Sequence, residues 1–132
     1  MIALVDTSAL FALVDRGDHQ HHAATGLFRQ LLDQRAALVS TNYVMVEAIA
    51  LMGRRFGLDA VRRLVHDVAA PIEIHWIEPD THARALAAYL SSGRRGLSLV
   101  DCVSFEVMRE HGIRDVFAFD PHFAEVGFHL IP

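Results

Sequence analysis

The chain has 132 residues, 52% of them hydrophobic, which predicts one globular domain over residues 1–132 and excludes an intrinsically disordered protein. No apolar stretch reaches the roughly 18 residues of a membrane-spanning helix, and no segment resembles a signal peptide, so we expect a cytoplasmic protein without a membrane anchor. The net charge is −4 and all 12 basic residues are arginine. The absence of lysine excludes a P-loop and a Schiff-base enzyme, and the single cysteine, Cys102, excludes an intrachain disulfide and a cysteine-based zinc site.

Short apolar runs that predict strands alternate with stretches that predict helices. In the first half of the chain the predicted elements are, in order, a strand at Ile2–Val5, a helix capped by Thr7 or Ser8 that runs to Val14, a turn at Asp15–Asp18, a helix at His19–Leu32, a strand at Ala37–Ser40, a helix from a cap at Thr41 or Asn42 to about Arg55, and a helix from a cap at Asp59 to about Val68.

The second half continues the alternation. Its predicted elements are a strand at Glu73–Ile77, a helix from Pro79 to about Leu90, a loop at Ser91–Gly96, a helix from a cap at Ser98 to about Glu110, a strand at Val116–Phe119 and a last strand at Phe128–Ile131. Strands that alternate with helices indicate an α/β fold with a mostly parallel sheet covered on both faces.

Four acidic residues are predicted to meet at one edge of this sheet. Asp6 and Asp120 directly follow strands, and ligand sites of open α/β sheets lie beyond the carboxyl ends of the strands. Glu47 and Asp101 lie in the first two turns of their helices, beside apolar faces where a solvated acid is unusual. Two carboxylates about 4 Å apart repel by about 4 kcal/mol at an effective dielectric of 20, so a cluster requires raised pKa values or a cation. Mg²⁺ and Mn²⁺ are the cations that prefer carboxylate ligands.

Each acid taken alone has a simpler explanation. Asp6, Asp101 and Asp120 each stand where a helix cap or a partner of the helix dipole is common, and Glu47 alone would be a solvated helix residue. Capping does not require four acids to converge on one edge, so the conjunction favours a metal site.

Four segments spanning nearly the whole chain occur in the order and spacing of a known family: VDTSALFAL (Val5–Leu13), STNYVMVEA (Ser40–Ala48), LSLVDCVSFEVMREHGI (Leu97–Ile113) and AFDPHFAEVGF (Ala118–Phe128). They resemble the PIN-domain family and, within it, the VapC-like toxins of bacterial toxin–antitoxin pairs. The resemblance implies a three-layer α/β/α fold and an endoribonuclease that depends on Mg²⁺ or Mn²⁺. It also implies a homodimer and a small cognate antitoxin that covers the active site.

The resemblance further assigns roles to residues. Asp6, Glu47, Asp101 and Asp120 are implied to be the catalytic and metal-binding acids, with Asp6 and Asp101 as direct ligands of the ion and Glu47 and Asp120 as close or water-mediated partners. Thr7 or Ser8 is implied to orient the carboxylates or bound waters without contacting the ion.

Other polar residues and other functions remain open from the sequence alone. Arg94 and Arg95 precede the helix of Asp101 and are candidates to bind RNA phosphates, with a solvated pair of loop charges as the alternative. His122 is close enough to Asp120 to approach a substrate but is given no role. A PIN fold without catalysis, serving as an interaction module, is one alternative function. An aspartyl phosphohydrolase is another, although it would need a lysine and an Asp-x-Asp run after the first strand.

Overall fold

A computed structural model of the chain describes residues 1–132. Five strands form one sheet in the order β3-β2-β1-β4-β5, and all four pairings are parallel. The strands are β1 (Ile2–Val5), β2 (Ala37–Thr41), β3 (Ile72–His75), β4 (Asp115–Phe117) and β5 (His129–Ile131). The sheet predicted as mostly parallel is therefore parallel throughout, with β1 at its centre.

Seven helices connect and cover the strands. They are α1 (Thr7–Val14), α2 (His21–Asp33), α3 (Asn42–Phe56), α4 (Leu58–Arg63), which a π-helical turn at Leu64–Val68 extends, α5 (Pro79–Ser92), α6 (Leu99–His111) and α7 (His122–Glu125). None of these helices is both long and apolar enough to cross a membrane.

The side chains of the central strand alternate between two cores. Ala3 and Val5 pack with buried residues of α1, α2, α3 and α4 on one face of the sheet. Leu4 points to the opposite face, where it packs with buried residues of α5, α6 and α7. Burial of a side chain the size of leucine contributes about 1.5–3 kcal/mol, so both layers stabilise the sheet substantially. This arrangement confirms the predicted three-layer α/β/α fold.

Two predicted helix starts are wrong, because an acidic side chain before the helix either caps it or holds a turn ahead of it. Asp6, not Thr7 or Ser8, is the N-cap of α1. α2 begins at His21 instead of His19, since Asp18 accepts a hydrogen bond from the backbone N–H of Gln20 and holds a turn there.

The remaining differences between the predicted and observed elements concern α4, α7 and the ends of the strands. Gly57, not Asp59, is the N-cap of α4, and α7 was not predicted at all because four residues carry no helical periodicity. Trp76 lies within the predicted strand at Glu73–Ile77, but β3 ends before it, at His75, and its side chain is 75% exposed. The bounds of β3, β4 and β5 differ from the prediction by one to two residues at their ends.

Candidate active site

A polar cavity lies at the carboxyl edge of the sheet, where β1 stands between β2 and β4. Its volume is about 300 Å³, and none of its lining residues is hydrophobic. All four predicted acids line it, although they come from four different parts of the chain. The lining residues are Asp6, Thr7, Ser8, Glu47, Gly96, Ser98, Asp101 and Asp120.

Asp6 is the most deeply buried acid of the cavity. It directly follows β1 and caps α1, and only 3% of its surface is exposed. Its Oδ2 accepts hydrogen bonds from the Ser8 backbone N–H at 3.2 Å and from the Ser8 hydroxyl at 2.7 Å. Burial raises the pKa of Asp6 from 3.8 to about 6; the two Ser8 hydrogen bonds oppose this rise, and the negative charge of Asp101 adds to it.

Ser8 links the acid of β1 to the end of β4. Its hydroxyl donates to Asp6 and at the same time accepts a hydrogen bond from the backbone N–H of Phe119 at 2.9 Å. Phe119 directly precedes Asp120, so this one hydroxyl couples the positions of two acids 114 residues apart in sequence. The hydroxyl of Thr7 is buried and has no hydrogen-bond partner, which leaves it free to bind a ligand within the cavity.

Asp101 is held by the start of its own helix. Ser98 caps α6, accepting a hydrogen bond from the Asp101 N–H at 3.1 Å, while Asp101 Oδ2 accepts one from the Ser98 N–H at 3.0 Å. This reciprocal pair fixes the carboxylate within the first turn. Burial raises the pKa of Asp101; the Ser98 bonds lower it, Asp120 raises it further, and the proximity of His122 lowers it.

Asp120 follows β4 and meets a histidine that the sequence analysis left without a role. The Asp120 Oδ1 accepts a hydrogen bond from the His122 backbone N–H at 2.9 Å, and the His122 Nδ1 lies 2.7 Å from the same oxygen. One ligand atom each of Asp101, Asp120 and His122 lies within 4.8 Å of the others. The signal that could have found His122 is its spacing, since a histidine two residues after a site acid turns back toward it.

Glu47 stands between two cavities. It lines the acidic cavity and also a neighbouring, more apolar pocket of about 270 Å³ formed with Asn42, Tyr43, Val46 and Val100. Its position in the second turn of α3 follows from Thr41, which caps that helix through a 3.0 Å bond from the Val44 N–H.

The two candidate arginines have different surroundings. Arg94 forms an ion pair with Glu125 of α7, which ties the loop before α6 to the segment that carries Asp120. Arg95 is exposed, next to Gly96 at the rim of the acidic cavity. Of the two, Arg95 is the side chain with its charge available to a phosphate.

The cavity fits a divalent cation by the chemistry of its donors. Asp6 and Asp101 have raised pKa values, and the carboxylate of Asp120 lies close to that of Asp101. No lysine or arginine lines the cavity to neutralise these carboxylates, and the buried hydroxyl of Thr7 is an oxygen without a hydrogen-bond partner. Hard cations that bind carboxylate oxygens satisfy such a set.

The fold and the site together define a protein with an acidic cavity at the carboxyl edge of an α/β/α sheet. The chain belongs to the PIN domain family, whose model matches residues 3–129. The resemblance inferred from the four segments is thereby confirmed.

Individual relatives within this family are similar to the chain in both sequence and structure. The chain is 31% identical over 125 residues to the 23S rRNA-specific endonuclease VapC20 of Mycobacterium tuberculosis, covering 94% of this chain and 93% of the relative. The crystal structure of VapC20, a sarcin-ricin loop cleaving toxin, superposes with a TM-score of 0.84 at 29% identity, covering 98% of this chain and 97% of that one.

Two more distant structures share the fold. VapBC2 from Rickettsia felis, crystallised with a promoter DNA fragment, superposes with a TM-score of 0.71 at 9% identity, over 99% of this chain and 98% of that one. FitAcB from Neisseria gonorrhoeae superposes with a TM-score of 0.66 at 14% identity, over 100% of this chain and 97% of that one.

Proposed function

We propose that this chain is a divalent-metal-dependent endoribonuclease that hydrolyses RNA phosphodiester bonds and acts as the toxin of a toxin–antitoxin pair. The observation that carries the proposal is the convergence of four acids from distant segments on one polar cavity. The 31% identity to a 23S rRNA-specific endonuclease, over 94% of this chain, supports both the reaction and ribosomal RNA as the substrate class.

Asp6, Glu47, Asp101 and Asp120 are the proposed catalytic acids that hold Mg²⁺ or Mn²⁺, with Asp6 and Asp101 as its direct ligands. When bound, such an ion supplies an activated water and neutralises charge on the phosphoryl group. The chain itself supplies the fixed geometry: Ser8 aligns Asp6 through a 2.7 Å bond, and Ser98 aligns Asp101 through the capping pair. Ligands held in place before binding do not lose conformational freedom when the ion arrives, which strengthens binding.

The acids also shape how RNA binds. A net charge of −4 disfavours RNA at long range, so attraction must be local, at the neutralised cavity and at exposed arginines near it. Arg95 is the proposed phosphate contact, since Arg94 is already paired with Glu125.

Two protein partners are part of the proposal: a cognate antitoxin and a second copy of this chain. Several large hydrophobic side chains are exposed, among them Val46 of α3 at 67%, Trp76 after β3 at 75% and Leu90 of α5 at 73%. Exposed groups of this size are usual at protein interfaces. Light scattering of the purified protein tests the homodimer, and replacing Val46 with Asp should shift a dimer toward monomer.

The test of the reaction is cleavage of purified ribosomal RNA and of a mixed RNA pool, with Mn²⁺ or Mg²⁺, with EDTA, and with the Asp6→Ala variant. The matched control is Asp33→Asn, since Asp33 is exposed at the end of α2, outside the cavity. We expect cutting that requires the ion and Asp6 and is unaffected in the control. Cutting that survives EDTA and Asp6→Ala contradicts the proposal. Absence of both cutting and Mn²⁺ binding would favour the non-catalytic interaction module.

A further inference from the structure

The imidazole of His122 lies beside Asp120 and close to Asp101, two of the acids that line the cavity. α7 begins at His122, and the turn from Asp120 brings the Nδ1 atom to 2.7 Å from Asp120 Oδ1. Asp101 contributes a carboxylate oxygen to the same group, within 4.8 Å of both. Two carboxylate oxygens and one imidazole nitrogen, all potential metal ligands, therefore lie close together.

The Nδ1 atom of His122 has no hydrogen-bond partner, although it is buried. The 2.7 Å approach to Asp120 is short enough for a hydrogen bond but does not have the geometry of one. A buried polar atom without a partner destabilises the fold, so a ligand that binds to this atom would remove that penalty. Neighbouring ligands of an octahedral ion with bonds of about 2.1 Å lie about 3 Å apart. The 2.7 Å between His122 Nδ1 and Asp120 Oδ1 is close to that separation.

The loop before α6 holds the ring in this place. Gly96 has φ +79°, and a Cβ atom there would lie 3.5 Å from Cε1 and 3.6 Å from Nε2 of His122, so the loop backbone passes directly over the imidazole. The ion pair between Arg94 and Glu125 joins the same loop to α7 a few residues away. The ring is thus packed between its own helix and this loop.

We propose that His122 is a nitrogen ligand of the cation that Asp101 and Asp120 hold. The inference deepens the proposed function and rests on it for the presence of that cation. Mg²⁺ prefers oxygen ligands throughout, whereas first-row transition ions accept imidazole readily. A nitrogen donor therefore makes this cavity select Mn²⁺ over Mg²⁺ more strongly than four carboxylates would.

The decisive measurement is pulsed electron paramagnetic resonance of the full chain loaded with Mn²⁺. A directly bound imidazole gives a ¹⁴N modulation of the Mn²⁺ signal, which changes to the ¹⁵N pattern when the protein is made with ¹⁵N-labelled histidine. We expect that modulation in the unmodified protein. Its absence from Mn²⁺ bound at one site overturns the proposal, whether or not any variant folds.

Substitution identifies which histidine is responsible. His122→Gln should abolish the modulation and weaken Mn²⁺ binding in calorimetry by about tenfold or more, with a smaller change for Mg²⁺. The matched control is His66→Gln, since His66 is exposed in the π-helical turn and should leave both readouts unchanged. Modulation that persists in His122→Gln overturns the assignment to this residue, as does an equal loss of affinity for both ions.

The outcomes separate this inference from the proposed function. Nitrogen coupling in a protein that cuts no RNA supports the histidine ligand and contradicts the nuclease. Metal-dependent cutting without nitrogen coupling supports the nuclease and overturns the histidine ligand.

Discussion

The buried carboxylate of Asp6 should destabilise the metal-free protein at neutral pH, and Asp6→Asn should remove that cost. Asp6 is 3% exposed, and burial is the main cause that raises its pKa from 3.8 to about 6. A carboxyl group with a raised pKa binds a proton on folding between these two values. Its contribution to stability is therefore most favourable below about pH 4 and is lost as pH rises through about 6.

The size of the effect follows from the shift. About 2 pKa units at 1.36 kcal/mol each give a cost of about 3 kcal/mol above pH 6, as an upper estimate. Asparagine is neutral and of the same shape, and its amide oxygen can accept both hydrogen bonds of Ser8. We expect Asp6→Asn in EDTA at pH 7.5 to be about 1–3 kcal/mol more stable than the unmodified protein, since the new amide N–H groups recover only part of their solvation.

Urea unfolding in EDTA at pH values from 4 to 8 measures this difference. The gain from Asp6→Asn should grow as pH rises to about 6 and then level off, whereas the exposed Asp33→Asn should show no such trend. Saturating Mn²⁺ should reverse the order, because only the carboxylate can bind the ion. A variant that is less stable than the unmodified protein by the same amount at every pH would refute the argument that burial of a charge sets the cost.

Three further expectations concern the same cavity. Ser8→Ala removes the hydroxyl that donates to Asp6 and leaves the Phe119 N–H unpaired. The free energy of unfolding should therefore fall by about 1–3 kcal/mol and the Mn²⁺ affinity by about 10–100-fold. A loss of stability with unchanged Mn²⁺ affinity would contradict the alignment of Asp6 by Ser8. Ser98→Ala removes the cap of α6 and should cost about 1 kcal/mol in thermal or urea unfolding, while Ser98→Asp, which keeps a capping oxygen, should retain most of that stability. Mn²⁺ affinity measured by calorimetry should fall below about pH 6, by up to tenfold per pH unit for each proton that binding displaces, because protons compete with the ion for the carboxylates of Asp6 and Asp101, both of which have raised pKa values; an affinity that is constant from pH 5 to 8 would show that Asp6 does not bind the ion.

Much of the fold was predictable because it depends on interactions between near neighbours in sequence. The apolar run of β1 and the Ser98 cap of α6 are local signals, and the structure places both as predicted. Alternation of strands and helices is likewise a local pattern, and with the right-handed rule for crossovers it implies a parallel sheet. Asp6 and Asp120 were found for the same reason, since residues that directly follow parallel strands share an edge, and Glu47 and Asp101 were found because they lie in the first two turns of helices near that edge.

The side-chain geometry of the cavity could not be predicted from local sequence patterns. The Ser8 hydroxyl contacts Phe119 across 111 residues, and this contact exists only because β1 pairs with β4. The sequence left Asp6, Thr7 and Ser8 all as candidate caps of α1, because all three residue types cap helices well and only the backbone angles decide among them.

The sequence by itself determined the fold class and which acids could meet; the tertiary structure decided which groups surround them. His122 and Arg94 illustrate the difference. The spacing of His122 from Asp120 is local, but a four-residue helix has no periodicity to detect, so only the tertiary structure shows that α7 packs against the loop at Gly96 and that Arg94 pairs with Glu125. The physical reason is that burial and charge pairing are properties of residues distant in sequence, which become neighbours only when the sheet order is set.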